Sequence, residues 1–202
     1  MKDAWLKIVV ICLVIYCALT SFMHRAIHHP DGLVLAAHDP IQTDTTDTPF
    51  PFKEYTIQPL ADFVIDARVL STERYYWDAG SDLVPVDLAL GWGRMSDSAV
   101  IKQLKISQSG RFYFYQYNFP APIPPEEMIS HSANMHMIPS TKAIESELKS
   151  VRVGQVVHIT GHLVEATIPE KHWKWRSSLS RNDSGNGACE LVWVKSLSVT
   201  DH

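Results

Sequence analysis

Apolar and polar residues alternate along several stretches after Tyr55, with the period of two that is typical of β-strands. In the stretch from Phe63 to Tyr75, the positions on one face are Phe63, Ile65, Ala67 and Val69. In the next stretch they are Val86, Leu88, Leu90 and Trp92, and in a third Phe112 and Phe114 oppose Tyr113, Tyr115 and Tyr117. These patterns predict a mainly β domain, either a small β-barrel or a related α+β fold.

One short amphipathic helix is expected between Thr141 and Ser150. Ser140 or Thr141 can cap its first turn, and Glu145 stands four residues before Lys149, where the two can pair. Its apolar positions, which share a face, are Ile144, Leu148 and Val151. A helix of this length is stable only against another element, so it is expected to pack on the sheet.

The N-terminus carries a nearly unbroken apolar run from Ala4 to Met23. Its uninterrupted part, Ile8 to Met23, is 16 residues long, which as a helix covers roughly 24 Å of a hydrocarbon core about 30 Å thick. Adding Ala4, Trp5 and Leu6 reaches the ~20 residues that a span requires. We therefore expect an N-terminal transmembrane helix that acts as an uncleaved signal-anchor, with a cleaved signal peptide or a buried soluble helix as the alternatives.

The predicted anchor divides the chain into three parts. Residues 1–25 are the membrane anchor, residues 26–54 a tether rich in Pro, Thr and Asp, and residues 55–202 a β-rich globular domain. Lys2 and Lys7 precede the apolar run and Arg25 follows it, a small bias that favours an internal N-terminus. The domain is then expected outside the cytoplasm, in the periplasm of a bacterium.

Composition narrows the possible partners of the domain. The formal net charge is -4, without the basic excess that binding to a nucleic-acid backbone requires, so nucleic acid is not expected as a partner. Cys12 and Cys17 lie in the apolar run, which leaves Cys189 alone in the domain. No disulfide within the domain is therefore expected.

The segment VRVGQVVHITGHLV, Val151 to Val164, has a glycine inside a strand pattern, as a sharply bent barrel strand requires. Followed by ELVWVKSLS, Glu190 to Ser198, it resembles the later strands of bacterial OB-fold-type modules. The segments HSANMHMIP and WRSSLSRNDSGNGACELVWV are similar to uncharacterised membrane-anchored bacterial envelope proteins. The OB-fold resemblance implies a ligand groove on one face of a small barrel, with no ligand specified.

Two histidines, His131 and His136, are the candidate metal ligands, and zinc is the possible cofactor. A separation of five residues points side chains apart on a helix or a strand, so only a loop would let them converge. Histidines in a structural polar network are the alternative. Asn134 could orient an imidazole or a ligand, and Cys189 is a candidate nucleophile if His131 or His136 activates it.

Further candidate ligand-binding residues are aromatic or charged. Trp92, Arg94 and Trp175 could line a groove for a peptide or a glycan by stacking and hydrogen bonding. The loop from Ser177 to Cys189 is rich in turn-forming residues, and within it Arg181 and Asp183 form either a ligand clamp or a local salt bridge.

The sequence favours a binding or assembly module of the cell envelope, with another envelope protein, a peptide or a glycan as the candidate partner. One alternative is a metal-dependent or cysteine hydrolase built from the His131/His136 segment and the loop from Arg181 to Cys189. The other is an accessory subunit of a membrane complex, which requires an exposed apolar patch.

Overall fold

The computed structural model describes residues 2–23, 25–78, 80–181 and 188–201. The helices are α1 (Lys2–Met23), α2 (Ser98–Ile101), α3 (Pro125–Ser130) and α4 (Lys142–Ser150), with 3-10 turns at Gly93–Ser96 and Pro169–Lys171. The strands are β1 (Ile41–Thr43), β2 (Phe50–Phe52), β3 (Tyr55–Arg74), β4 (Val86–Gly91), β5 (Leu104–Ser109), β6 (Phe112–Tyr117), β7 (Ser132–Pro139), β8 (Val156–Ile168), β9 (Trp173–Arg176) and β10 (Glu190–Thr200). Strands account for 44% of the residues and helices for 20%, which confirms the prediction of a mainly β structure.

Five strands of the eight-stranded sheet pair in a closed circuit, in the order β3, β4, β7, β10, β8 and back to β3. All pairs are antiparallel except β7 with β10, which run parallel. The long strand β3 closes the circuit because it pairs with β8 along its first part and with β4 near its end. Its register shifts at Pro59/Ala61, within the pairing with β8, and at Val69/Ser71, within the pairing with β4. Irregularities of this kind bend a strand.

The main core lies inside this circuit and is built from alternate residues of the five strands. The predicted inward positions of β3 and β4 are confirmed, since each is at most 1% exposed. The other strands contribute Met135, Met137, Val157, Ile159, Leu163, Val192 and Val194, and α4 contributes Leu148. Alternation in the sequence therefore identified the core faces of β3 and β4 correctly, whereas on β6 Phe112 and Phe114 are exposed.

The predicted short helix is confirmed as α4. The Thr141 hydroxyl accepts a hydrogen bond from the Ile144 amide at 3.2 Å and caps the helix. Glu145 and Lys149 form the expected ion pair. Leu148 on its inner face is buried against the sheet.

The predicted membrane span at the N-terminus is wrong. Residues Lys2–Met23 form the helix α1, but no helix in the described ranges is long and apolar enough to cross a bilayer. The prediction extended an uninterrupted apolar run of 16 residues past Lys7, and that run alone covers roughly 24 Å of a core about 30 Å thick. The single-pass anchor and the periplasmic location deduced from it are therefore not supported.

Residues 26–54, the predicted tether, contact the β-rich domain at several points. The Ile27 amide donates to the Val153 carbonyl at 2.8 Å, and β1 and β2 both pair with β3. Gly154 has a left-handed φ of 93°, and a Cβ there would lie 2.0 Å from the Ile27 carbonyl oxygen. Only glycine allows this close approach of the N-terminal segment. The division of the chain into three parts stays a prediction.

A second layer covers the outer face of β4 and β7. It contains the β5–β6 hairpin, α3 and the residues around β9. Because Met135 and Met137 point into the core, Asn134 and His136 point outward, beneath this layer. Both are buried nevertheless. The second layer thus encloses polar side chains that alternation alone would assign to solvent.

Candidate functional site

A cavity of about 160 Å³ lies between the β5–β6 hairpin, α3, β7 and the residues that flank β10. Its apolar wall consists of Trp92, Phe112, Tyr113, Tyr115 and Ile129. The remaining lining residues, called the polar wall here, are small or polar, namely Ser132, Ala133, Asn134, Ser180, Arg181, Ala188, Cys189 and Glu190. The cavity therefore joins an aromatic side to a polar side that carries one ion pair.

Arg181 and Glu190 form the charged corner of this cavity. Arg181 Nε lies 3.0 Å from Glu190 Oε1, in the geometry of an ion pair and not of an aligned hydrogen bond. Glu190 is 1% exposed, and the Arg181 guanidinium carbon lies 5.6 Å from the ring centre of Phe63 in the core. The pair thus closes one end of the strand circuit beside the cavity.

The Arg181 guanidinium retains unused donor capacity. Its Nη2 reaches the Ser178 carbonyl oxygen only at 3.5 Å, and its buried Nη1 has no hydrogen-bond partner among the described residues. A guanidinium carries five N–H donors and does not lose its proton in proteins. An acceptor that entered the cavity could therefore bind to it.

Tyr113 supplies a second donor on the aromatic wall. Its hydroxyl lies beside Ser132, whose own hydroxyl donates to the Met128 carbonyl oxygen at 2.7 Å. The buried Tyr113 hydroxyl makes no hydrogen bond of normal geometry with a described residue. Burial raises the pKa of Tyr113 above its ordinary value, so the hydroxyl keeps its proton and can donate.

Asn134 connects the cavity to a buried polar network. Its Nδ2 donates to the Arg111 carbonyl oxygen at 3.0 Å, and its Oδ1 accepts from Gln108 Nε2 at 2.7 Å. Arg111 in turn donates through Nη1 to Asp87 Oδ1 at 3.0 Å, and Asp87 is fully buried on β4. The hairpin that carries Gln108 and Arg111 is therefore fastened to β4 and β7 by hydrogen bonds.

The two histidines predicted as metal ligands occupy different surroundings. His131 follows α3, with Nδ1 3.1 Å from the Glu127 carbonyl oxygen. His136 lies on β7, with Nδ1 2.9 Å from Asp87 Oδ1 and its ring 4.7 Å from that of Trp175. Five extended residues separate their Cα atoms by about 16 Å. Among the described residues no group of three His, Cys, Asp or Glu side chains could hold a metal ion.

Four of the predicted site residues line the same cavity, namely Trp92, Asn134, Arg181 and Cys189. Trp92 is 1% exposed, because its ring packs in the core, and its Nε1 donates to Asp39 at 3.0 Å. Cys189 Sγ lies 4.0 Å from the Arg111 carbonyl oxygen. The cavity thus brings together residues from three separate parts of the sequence.

The other predicted site residues lie elsewhere. Arg94 is half exposed and pairs with Glu127 through both carboxylate oxygens, and this hydrogen bonding lowers the pKa of the Glu127 carboxyl. Trp175 covers His136 and approaches the Arg111 guanidinium at 5.5 Å. Neither lines the cavity. Asp183 lies outside the described residues.

Sequence reasoning missed Tyr113 and Glu190 as cavity residues and Asp87 and Arg111 as a buried pair. Tyr113 was interpreted as core, and Asp87 fell on the face opposite Val86 and Leu88. A carboxylate between apolar strand residues is a weak signal, because the solvent face of any strand looks the same. Only the position of the β5–β6 hairpin, which covers this face of β4, distinguishes a buried carboxylate from one that faces solvent.

Comparisons with protein-family models, with curated proteins and with solved structures return no match. What the chain can bind must therefore follow from the cavity itself.

Proposed function

We propose that the chain is a binding module of the OB-barrel type, which holds a compact, largely apolar ligand in the cavity beside Arg181. The observation that carries the proposal is the cavity itself, about 160 Å³ with an aromatic wall and a polar wall. Apolar cavities of roughly 150 Å³ accept a molecule of the size of benzene. Concave sites with aromatic linings and a few convergent polar groups are typical of ligand pockets.

The strand order supports the barrel type. An OB-fold is a five-stranded Greek-key barrel that binds ligands on its second and third strands and at the connection between its fourth and fifth strands. In this chain the circuit strands in sequence order are β3, β4, β7, β8 and β10. The cavity lies against β7, the third, and against residues 180–181 and 188–190, which belong to the connection into β10, the fifth.

The hydrolase alternative gains no comparable support. His131 and His136 point into separate surroundings, and neither lines the cavity that contains Cys189. A nucleophile and its base need to lie within hydrogen-bond reach of each other. Binding without chemistry is the function that the cavity supports best.

Cys189 offers a direct test, because its side chain lines the cavity. In a full-length Cys12→Ser, Cys17→Ser variant, iodoacetamide would report on Cys189 alone. We expect saturating benzyl alcohol to slow alkylation several-fold. An Ala188→Phe substitution, which enlarges a residue of the cavity lining, should slow it without the alcohol.

The matched control is Ala143→Phe, at an exposed position of α4 away from the cavity. It should leave both the alkylation rate and the protection by benzyl alcohol unchanged. An alkylation rate that is insensitive to benzyl alcohol, together with no binding of it by ligand-observed NMR, would contradict the proposed function.

A further inference from the structure

Two residues of the cavity lining carry a buried donor that makes no hydrogen bond of normal geometry with a described residue, Arg181 at Nη1 and Tyr113 at its hydroxyl. Buried donors in folded proteins are nearly always satisfied by protein or by an ordered partner, so two unsatisfied donors in one cavity indicate an absent acceptor. They come from different elements, Tyr113 from β6 and Arg181 from the segment after β9. Their placement on one cavity therefore does not follow from local chain geometry.

The rest of the cavity lining limits the size and polarity of the ligand that carries this acceptor. Trp92, Tyr115, Phe112 and Ile129 present aromatic or aliphatic surface. A volume of about 160 Å³ leaves room for one ring-sized body with a small polar group. Phe112 and Ile129 are also partly exposed and lie where the cavity meets the surface.

Glu190 determines which charge the acceptor group of a ligand can carry in this cavity. Its carboxylate already lies 3.0 Å from Arg181 Nε, so the pair is neutral as a unit. A ligand carboxylate would place a second anion beside a carboxylate that is 1% exposed. Like charges in a poorly solvated site repel strongly, whereas an uncharged carbonyl accepts from the same donors without adding charge.

We infer that the ligand of this site is an uncharged, ring-sized molecule whose carbonyl oxygen accepts hydrogen bonds from Arg181 and Tyr113, as a carboxamide does. The inference rests on the proposed binding function and adds the chemical class of the ligand. Asn134 and Ser132 line the same cavity and add polar side chains to its lining.

Three probes of similar size test the inference by isothermal titration calorimetry on the full-length chain: benzamide, benzoate and benzyl alcohol. We expect benzamide to bind at least tenfold more tightly than benzoate and several-fold more tightly than benzyl alcohol. Benzoate binding most tightly would overturn the inference, because it would show that the site prefers an anion. Equal binding of benzamide and benzyl alcohol would also overturn it but leave the proposed function standing. No binding of any probe would contradict the proposed function itself.

Two substitutions identify the donors. Tyr113→Phe and Arg181→Gln should each weaken benzamide binding five- to tenfold and change benzyl alcohol binding less than twofold. Tyr117→Phe removes a hydroxyl from the same strand outside the cavity and should change neither. Melting curves check that each variant is folded. An unchanged preference for benzamide in both Tyr113→Phe and Arg181→Gln would overturn the assignment of these donors.

Discussion

Arg111 and Arg181 are both mostly buried, with side chains 14% and 19% exposed, but they use their donors very differently. Arg111 bonds through Nε to Asp78 Oδ2 at 2.8 Å and through Nη1 to the Val84 carbonyl and Asp87, both at 3.0 Å. Its guanidinium carbon also lies 3.5 Å from the ring centre of Tyr75, and among the described residues Nη2 has no hydrogen-bond partner. With the same described residues, Arg181 makes one ion pair and one long contact.

The difference separates a structural arginine from a binding one. Burial and charge are nearly the same for both, so neither property distinguishes them. The distinguishing property is the donor capacity that remains after the contacts within the chain are made. Arg111 uses both Nε and Nη1 to fasten the β5–β6 hairpin, whereas Arg181, a residue of the cavity lining, makes only one ion pair and one long contact with the described residues.

The largest expected effect belongs to Arg111→Gln. It removes the charge that compensates Asp87, which is fully buried, so we expect the free energy of unfolding to fall by about 3 kcal/mol. Urea unfolding monitored by circular dichroism measures this. Arg176→Ala, which removes an exposed partner of Glu165, should cost less than about 0.5 kcal/mol. A loss below about 1 kcal/mol in Arg111→Gln would contradict its structural role.

Asn134 donates a hydrogen bond to the Arg111 carbonyl oxygen and also lines the cavity together with Arg181. Its replacement can therefore show which of the two arginines it is coupled to. Asn134→Ala leaves the Arg111 carbonyl oxygen without its side-chain donor, and we expect a loss of about 2 kcal/mol. Double-mutant cycles in urea unfolding should give a coupling of about 1 kcal/mol with Arg111→Gln and less than about 0.3 kcal/mol with Arg181→Gln. Equal couplings would show that the two arginines belong to one network.

A smaller loss of stability is expected for Arg181→Gln. Glutamine can still donate to Glu190, so the free energy of unfolding should fall by about 1 kcal/mol, well below the loss in Arg111→Gln. Benzamide binding should nevertheless decrease five- to tenfold in the calorimeter. A variant that loses as much stability as Arg111→Gln would assign Arg181 to the framework of the fold.

The smallest expected effect is that of pH on benzamide binding. Burial raises the pKa of Tyr113 above the ordinary value of about 10, so its neutral, donating form persists as the pH rises to 10. Calorimetry between pH 6 and pH 10 should therefore show affinity constants for benzamide that agree within twofold. A steep change between pH 6 and pH 8 would contradict the assignment of Tyr113 as a donor that stays protonated.

Much of the fold followed from local patterns. Alternation identified the inward residues of β3 and β4, and the cap at Thr141 located α4. The membrane span was wrong because the apolar run was extended across Lys7 to reach the required length. Patterns of this kind describe one helix or strand at a time.

The candidate site was predicted only in part. Trp92, Asn134, Arg181 and Cys189 were singled out separately, each for its own chemistry, and the fold brings them to one cavity. Strand alternation does not show whether a buried hydroxyl has an acceptor, so the sequence did not identify Tyr113 as a cavity residue. Arg111 follows Gly110 in a hairpin turn, where a charged residue normally faces solvent. Which donors remain unused depends on contacts between distant segments, which no local pattern contains.

The most direct test compares the two arginines in one experiment. In protein labelled with ¹⁵N-arginine, the Nε–Hε resonances of Arg111 and Arg181 can be assigned from Arg→Gln variants and followed while benzamide is added. We predict that the Arg181 resonance shifts to saturation while the Arg111 resonance stays in place. If the Arg181 resonance stays in place while benzamide binds, or if only the Arg111 resonance shifts, Arg181 is not the arginine that binds the ligand.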